Sequence, residues 1–189
     1  MLRILVVYAS DHGQTAKIVE RMAARWCAAG HDVTVRRADQ PTAIPSPGDF
    51  DAAVVAGSVR FGKHQRSVRR YATDHRRALE RMPAAFISVC GALVGDWAEG
   101  PATARGYLAR FVEETGWRPR IIRSFAGAVR YTAYGPLTRW LMKQVSRKTG
   151  RPTDTSRDWE GTDWTRVDRL ADEVLAMGES RKEAELSPV

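Results

Sequence analysis

Leu5 to Met22 reads "LVVYASDHGQTAKIVERM", and its character changes in the middle. An apolar run stops at Ser10, six small or polar residues follow, and apolar residues then return at helical spacing. That order describes a buried strand, a loop and an amphipathic helix. The loop "SDHGQT" sets the hydroxyls of Ser10 and Thr15 around Gly13, with the free N–H groups of the coming helix just behind. Those N–H groups and the helix dipole favour an anion, and Gly13 lets the backbone come close to it. The loop has neither the lysine of the triphosphate pattern "GxxxxGK(S/T)" nor the spaced glycines of "GxGxxG". A monophosphate held by hydroxyls and backbone suits it better. Ser10 and Thr15 suit simple helix capping equally well.

Working outward, strands and helices alternate. Strands are expected at Arg3 to Ala9, Asp32 to Arg37, Ala52 to Ala56, Ala84 to Cys90 and Ile121 to Val129. Helices are expected at Thr15 to Ala29, His64 to Arg81, Ala102 to Thr115 and Asp163 to Met177. The proline-rich "QPTAIPSPGDFD" is irregular, and the polar stretch after Gly178 is expected to fray. No repeat and no long linker divides the chain, so residues 1–178 read as one domain and 179–189 as a disordered tail. Parallel neighbours need a crossover of about a dozen residues, so the alternation predicts an α/β fold, a doubly wound five-stranded parallel sheet with helices on both faces. Ligands of such sheets sit beyond the carboxyl ends of the strands, where the strand order reverses.

The chain of 189 residues carries a net charge of +8, and the placement of that charge matters more than its size. Nine Arg or Lys and no Asp or Glu lie between Thr115 and Thr153, which more than accounts for the net charge. A local cationic block implies a local partner: an anionic membrane surface, a nucleic acid or an acidic small molecule. No nucleic-acid reading motif accompanies it, so no nucleic acid is expected. Cys27 and Cys90 have no partners at metal-ligand spacing and make no disulfide framework, which suits a reducing compartment. No signal peptide is apparent and no apolar stretch approaches the roughly 18 residues of a membrane span, so a cytoplasmic location is expected. His12, His31, His64 and His75 show no metal-ligand spacing either, and no metal is expected.

The strand-ending "SxxGxT" loop in a five-stranded alternating chain resembles the flavin mononucleotide (FMN) cradle of flavodoxins, with His12 where many members have Thr. The resemblance implies FMN as cofactor, with Ser10, Asp11, His12, Gly13, Gln14 and Thr15 at its phosphate. It also implies that the flavin ring lies between two further loops. One supplies Ser58, Val59, Arg60, Phe61 and Gly62, and the other Cys90, Gly91, Ala92, Leu93, Val94 and Trp97. Glycines permit close backbone approach there, while Phe61 and Trp97 suit stacking on the ring or covering its edge. Arg60 suits negative charge on the reduced ring.

A narrower resemblance covers Ile4 to about Met177. The segments "HGQT", "GSVRFGKHQRSV", "MPAAFISV" and "WRPRIIRSFAGAVRYTAYGPLTRWLMKQVSRKTGRPTDTSRDWEGTDW" are similar to those of the menaquinone-dependent protoporphyrinogen IX dehydrogenases, a flavodoxin-like branch of haem biosynthesis. Residues 130–162 form an insertion where a connection of about 2 to 6 residues would suffice. In helical projection Leu137, Trp140, Leu141, Gln144 and Val145 fall on one side and Arg139, Lys143 and Arg147 on the other, with Lys148 on the apolar side. Such a segment suits a membrane interface, or recognition of tetrapyrrole propionates with Trp140, Tyr131 and Tyr134 against the ring plane, or docking on its own domain. The resemblance implies oxidation of protoporphyrinogen IX with electrons passed to a membrane quinone, menaquinone, by a peripheral protein on the inner face of the cell membrane. The flavin would carry the chemistry, so no catalytic base is assigned. Arg60, Arg130 and Tyr131 are candidates for substrate or ring contacts and His64 for a proton relay. Tyr134, Arg139, Trp140, Lys143 and Arg147 are candidates for substrate or membrane contact. The alternative is a flavodoxin-type electron carrier or an FMN-dependent quinone reductase.

Overall fold

Alternate residues of the first apolar run face opposite sides of a sheet, and both sides are buried. In the computed structural model, which describes all residues except 41–42, 130–131, 133–134, 149–152 and 187–189, that run is β1 (Arg3–Ala9). There follow α1 (Gln14–Ala28), β2 (Asp32–Arg37), β3 (Ala52–Arg60), β4 (Lys63–His64), α2 (Arg66–Asp74), α3 (Arg76–Glu80), β5 (Ala84–Cys90) and α4 (Gly100–Thr115). The chain continues through β6 (Ile121–Ala126), β7 (Ala128–Val129), α5 (Pro136–Lys148), β8 (Trp159–Glu160) and α6 (Trp164–Leu186). Strands pair in the order β2-β1-β3-β5-β6, all parallel, so the expected doubly wound sheet is present and its order reverses between β1 and β3.

On one face Ile4, Val6 and Tyr8 of β1, with Val54 and Ile87, pack against Ile18, Met22 and Trp26 of α1 and Leu170 and Val174 of α6. On the other, Leu5, Val7, Val55 and Phe86 meet Val68 and Tyr71 of α2, Phe111 of α4 and Trp117. The Phe86 and Phe111 rings stack with centroids 3.6 Å apart, and the Trp26 indole donates to the Ala171 carbonyl at 3.0 Å. Burial on both faces explains why these strands read as continuous apolar runs. The registers Ala9 opposite Gly57, Ser58 opposite Val89 and Cys90 opposite Ala126 bring the ends of β1, β3, β5 and β6 together.

Four expectations are corrected. β3 runs past Gly57 to Arg60 and turns back through Phe61 and Gly62 into β4, so His64 lies in a strand rather than opening a helix. The helix expected from there to Arg81 is interrupted at His75, whose backbone turns to φ −104° and ψ 12°. The last sheet strand stops at Ala126: the Gly127 N–H still donates to the Cys90 carbonyl at 2.9 Å, but the Gly127 carbonyl accepts from the Gly161 N–H at 3.1 Å and the next residues leave the sheet. Ala128–Val129 pairs instead with Trp159–Glu160 in an antiparallel ribbon that closes the base of the insertion.

The fourth correction concerns the tail, which is helical from Glu179 to Leu186 as the end of α6. Lys182 Nζ donates to the Met1 carbonyl at 2.9 Å, and Arg181 pairs with Glu185 one turn on. Gly178 is buried so tightly that an added Cβ would lie 2.8 Å from Leu2 Cδ1. These contacts give a polar helix the tertiary support that its own sequence lacks. Among the described residues no helix is long and apolar enough to cross a membrane.

Candidate functional site

The loop between β1 and α1 has the features of an anion cradle. Gly13 takes φ 83°, a left-handed conformation, and its N–H donates to Ser10 Oγ at 3.0 Å. α1 then begins with no side-chain cap and no acidic residue in its first turn, so among the described residues no side chain compensates its leading N–H groups and dipole. Thr15 is fully buried, yet among the described residues its Oγ1 has no hydrogen-bond partner, and Gln14 Oε1 is likewise buried and unpartnered. An unpaired buried hydroxyl costs about 1 to 3 kcal/mol. The capping reading of Thr15 therefore falls away, because a cap would satisfy that oxygen within the protein. Arg37 steadies the loop from behind, donating to the Ser10 carbonyl at 3.3 Å while Asp39 binds the same guanidinium.

A cleft joins this loop to three other strand ends. Ser10, Asp11, His12, Gln14 and Thr15 line it together with Ser58, Val59 and Arg60 from β3, and Val89, Cys90 and Gly91 from β5. Gly127 and Ala128 complete it. Its enclosed part holds about 70 Å³, far below the roughly 300 to 1,000 Å³ of a pocket that swallows a whole ligand. That volume suits the phosphate end of a ligand whose remainder lies along the open mouth. The residues present thus fit FMN: an unpartnered hydroxyl and uncapped helix for the phosphate, and glycine-containing strand ends for a flat ring.

Several residues expected at the ring are engaged elsewhere. Ala92 and Val94 are buried, Ala92 with Cys90 and Ala104 and Val94 with Ala126, while Leu93 and Trp97 pack on the first of these clusters. Gly100 locks that packing, since a Cβ there would lie 2.3 Å from the Ala92 carbonyl. Phe61 is 92 % exposed at the hairpin tip, with the Arg60 guanidinium 5.2 Å from its ring centroid. Its φ of 49° and that of Gly62 at 77° are the positive values of a type I′ turn, whose usual central residues are Asn and Gly. Phe in that conformation costs about 1 to 3 kcal/mol, strain of a kind that collects at functional sites.

His64 lies behind the cleft rather than in it. It is 4 % exposed, shares a 2.9 Å hydrogen bond between Nε2 and Ser88 Oγ, and meets the Phe86 and Phe111 rings edge-on. Burial, helped by the nearby Arg69 charge, pushes its pKa down to about 4. A neutral imidazole held this way ties the hairpin to β5 and is not placed to relay protons at the cleft. Ser58 Oγ is similarly tied, accepting from Gln65 Nε2.

The insertion carries the expected helix, α5, with Leu137 79 % and Trp140 59 % exposed, Arg147 exposed and Lys143 half-buried. Arg130, Tyr131 and Tyr134 lie outside the described residues, as does the side chain of Arg139. Sequence reasoning missed Val89, Gly127 and Ala128 in the cleft, and it missed Thr162, which accepts from Gln14 Nε2 at 2.8 Å and donates to the Ala126 carbonyl at 2.8 Å. With the Lys17–Glu160 pair at 3.0 Å, this links the base of the insertion to the start of α1. A glycine inside the apparent strand "SFAGAV" was the available signal for Gly127.

Residues 5–156 match the family described as "Flavodoxin domain". The chain belongs to the flavodoxin domain family. Among relatives of this flavodoxin-domain protein, protoporphyrinogen IX dehydrogenase (quinone) of Escherichia coli strain K12 is 27% identical over 173 residues, covering 92% of this chain and 94% of that protein. The Leishmania major protein of the same name is 27% identical over 179 residues, covering 93% of this chain and 75% of its own length. Among solved structures, rubredoxin oxygen:oxidoreductase of Desulfovibrio gigas superposes with a TM-score of 0.52 at 11% identity, over 98% of this chain and 37% of that one. The chain thus spans little more than a third of that larger protein, and the likeness is one of fold.

Proposed function

We propose that this protein is an FMN-dependent dehydrogenase that oxidises protoporphyrinogen IX to protoporphyrin IX in haem biosynthesis and passes the electrons to a membrane quinone, menaquinone. The observation that carries the reading is the end-to-end match to relatives named for that reaction, 92% of this chain against 94% of the bacterial protein. The cleft agrees with it. Thr15 Oγ1 and the uncapped start of α1 would hold the phosphate, with Ser10 and the left-handed Gly13 shaping the loop. Ser58 to Arg60, Cys90 and Gly91 would flank the ring, and the Arg60 cation favours negative charge there.

Bound FMN supplies two-electron acceptance, and the six electrons that separate porphyrinogen from porphyrin leave in three rounds. The chain's part is to fix the cofactor, leave its edge open to a large substrate and keep a cation beside it. α5 would rest on the anionic inner face of the cell membrane through Leu137 and Trp140, with Lys143 and Arg147 near the headgroups, each cation contributing about 1 kcal/mol. A quinone could then be met without a membrane-spanning helix.

The test loads the purified protein with FMN and follows porphyrin fluorescence after addition of protoporphyrinogen IX under anaerobic conditions, with and without a menaquinone analogue. Quinone-dependent appearance of protoporphyrin is the expected result. Flavin bound and no porphyrin formed would overturn the reading in favour of an electron carrier or a quinone reductase.

A further inference from the structure

The hairpin joining β3 to β4 concentrates unfavourable features in four residues. Arg60 and Lys63 are directly paired across it, so two like charges sit side by side on one face of a two-residue turn. Like charges placed opposite each other on paired strands repel. Between them, Phe61 is held at positive φ with its ring in solvent. A third cation joins from α4, where Arg110 Nη1 donates to the Gly62 carbonyl at 3.1 Å. Among the described residues none of Arg60, Lys63 and Arg110 forms an ion pair with a carboxylate, although the neighbouring Arg69 and Arg70 pair with Glu114 and Asp74. Residues 52–73 contain no Asp or Glu at all.

Strain, exposure and unneutralised like charge at one point, on the lip of a cleft that Arg60 itself lines, are not what stability alone would select. FMN would use Arg60 beside its ring, but it does not account for Lys63, Arg110 or the strained, exposed Phe61. Its anionic group is a phosphate, and the orphaned Thr15 hydroxyl and uncapped α1 already provide for that at the other side of the cleft.

We infer that the Arg60–Lys63 hairpin, with Arg110, is the receptor for the carboxylates of the substrate, and that Phe61 offers its face to the tetrapyrrole that carries them. The inference rests on the proposed reaction for the identity of the substrate, and it assigns to this hairpin the propionate recognition for which the insertion was the sequence-based candidate. A dicarboxylate bridging the cations removes the repulsion between Arg60 and Lys63. Binding is therefore charge-assisted on both partners. It also seats the macrocycle at the mouth of the cleft, and leaves α5 free to meet the membrane.

The test uses the FMN-loaded protein with Lys63→Gln, Arg110→Gln and the double variant. Two quantities are read: KM and kcat for protoporphyrinogen IX and for its dimethyl ester, and direct binding of mesoporphyrin IX, a dicarboxylic porphyrin, by fluorescence titration. Each single variant is expected to raise KM and the porphyrin Kd for the free acid about tenfold, the factor that corresponds to about 1.4 kcal/mol. kcat, FMN affinity and the ester's KM should stay as in the parent, and Lys63→Arg should restore the free-acid values. Unchanged free-acid binding in the double variant overturns the inference, as does an equal loss for acid and ester. Porphyrin binding that depends on Lys63 in a protein that oxidises no porphyrinogen would sink the proposed reaction and leave the carboxylate receptor standing. Turnover that ignores Lys63 and Arg110 would do the reverse.

Discussion

Replacing Phe61 by Asn separates a strained functional residue from a packed structural one. Of the strain at Phe61, about 1 to 2 kcal/mol is the cost of the left-handed region itself, which Asn tolerates far better than Phe. Against this relief stands little lost packing. With Phe61 92 % exposed, roughly 15 Å² of the ~200 Å² an aromatic can bury is covered, about 0.4 kcal/mol at ~25 cal/mol/Å². The exposed contact with Arg60, whose guanidinium is 5.2 Å from the ring centroid, adds about 0.5 kcal/mol. The balance is a gain of about 0.5 kcal/mol, or roughly 1 to 2 °C in Tm for a domain of this size. Thermal and urea unfolding of the apoprotein measure it. In the same variant, removal of an aromatic face should weaken dicarboxylic porphyrin binding about three- to tenfold, equivalent to about 0.5 to 1.5 kcal/mol. A Phe deleted from a packed site would instead cost about 3 to 5 kcal/mol. A stability loss of about 2 kcal/mol or more in the apoprotein would refute the strain argument.

Three further outcomes are expected. Thr15→Val removes the unpartnered hydroxyl, so the apoprotein should be stabilised by about 1 kcal/mol while the Kd for FMN, read by quenching of flavin fluorescence, rises about tenfold or more. Because His64 is pushed down to about 4 while an unfolded imidazole titrates near 6.5, the unfolded chain binds the extra proton in between. The stability that neutral His64 supports is thus present above pH 6.5 and lost as pH falls toward 4, by about 3 kcal/mol. Urea titrations at several pH values should show that slope, and His64→Gln should flatten it. Leu137→Glu with Trp140→Glu should abolish sedimentation with anionic phospholipid vesicles and leave FMN binding unchanged; retained sedimentation would move the membrane contact off α5.

The central strands and the strand–loop–helix turn between β1 and α1 were legible because their signals are local. A strand buried on both faces is an unbroken apolar run, and Gly13 between two hydroxyl residues marks a turn into a helix wherever it occurs. What escaped depends on distant partners. Gly57 looked like the end of β3, and the Phe61–Gly62 turn lacks the Asn–Gly signature, so Gly57 to His64 reads from sequence as a loop ahead of a helix that opens at His64. Ala128–Val129 looked like more of the same strand, because its partner Trp159–Glu160 lies beyond the whole insertion. The helical tail depends on Met1, Leu2 and Asp51, which no window around Gly178 contains. His64 drew attention as a histidine near a candidate cofactor loop, and only the tertiary structure shows that it points behind that loop to Ser88.

The most direct test of the account mixes FMN-loaded protein, in excess and without oxygen or quinone, with a limiting amount of protoporphyrinogen IX, and reads flavin bleaching against porphyrin formed. The account predicts about three flavins bleached per porphyrin, since six electrons leave in two-electron rounds. Protoporphyrinogen that stays colourless beside fully oxidised flavin would contradict it.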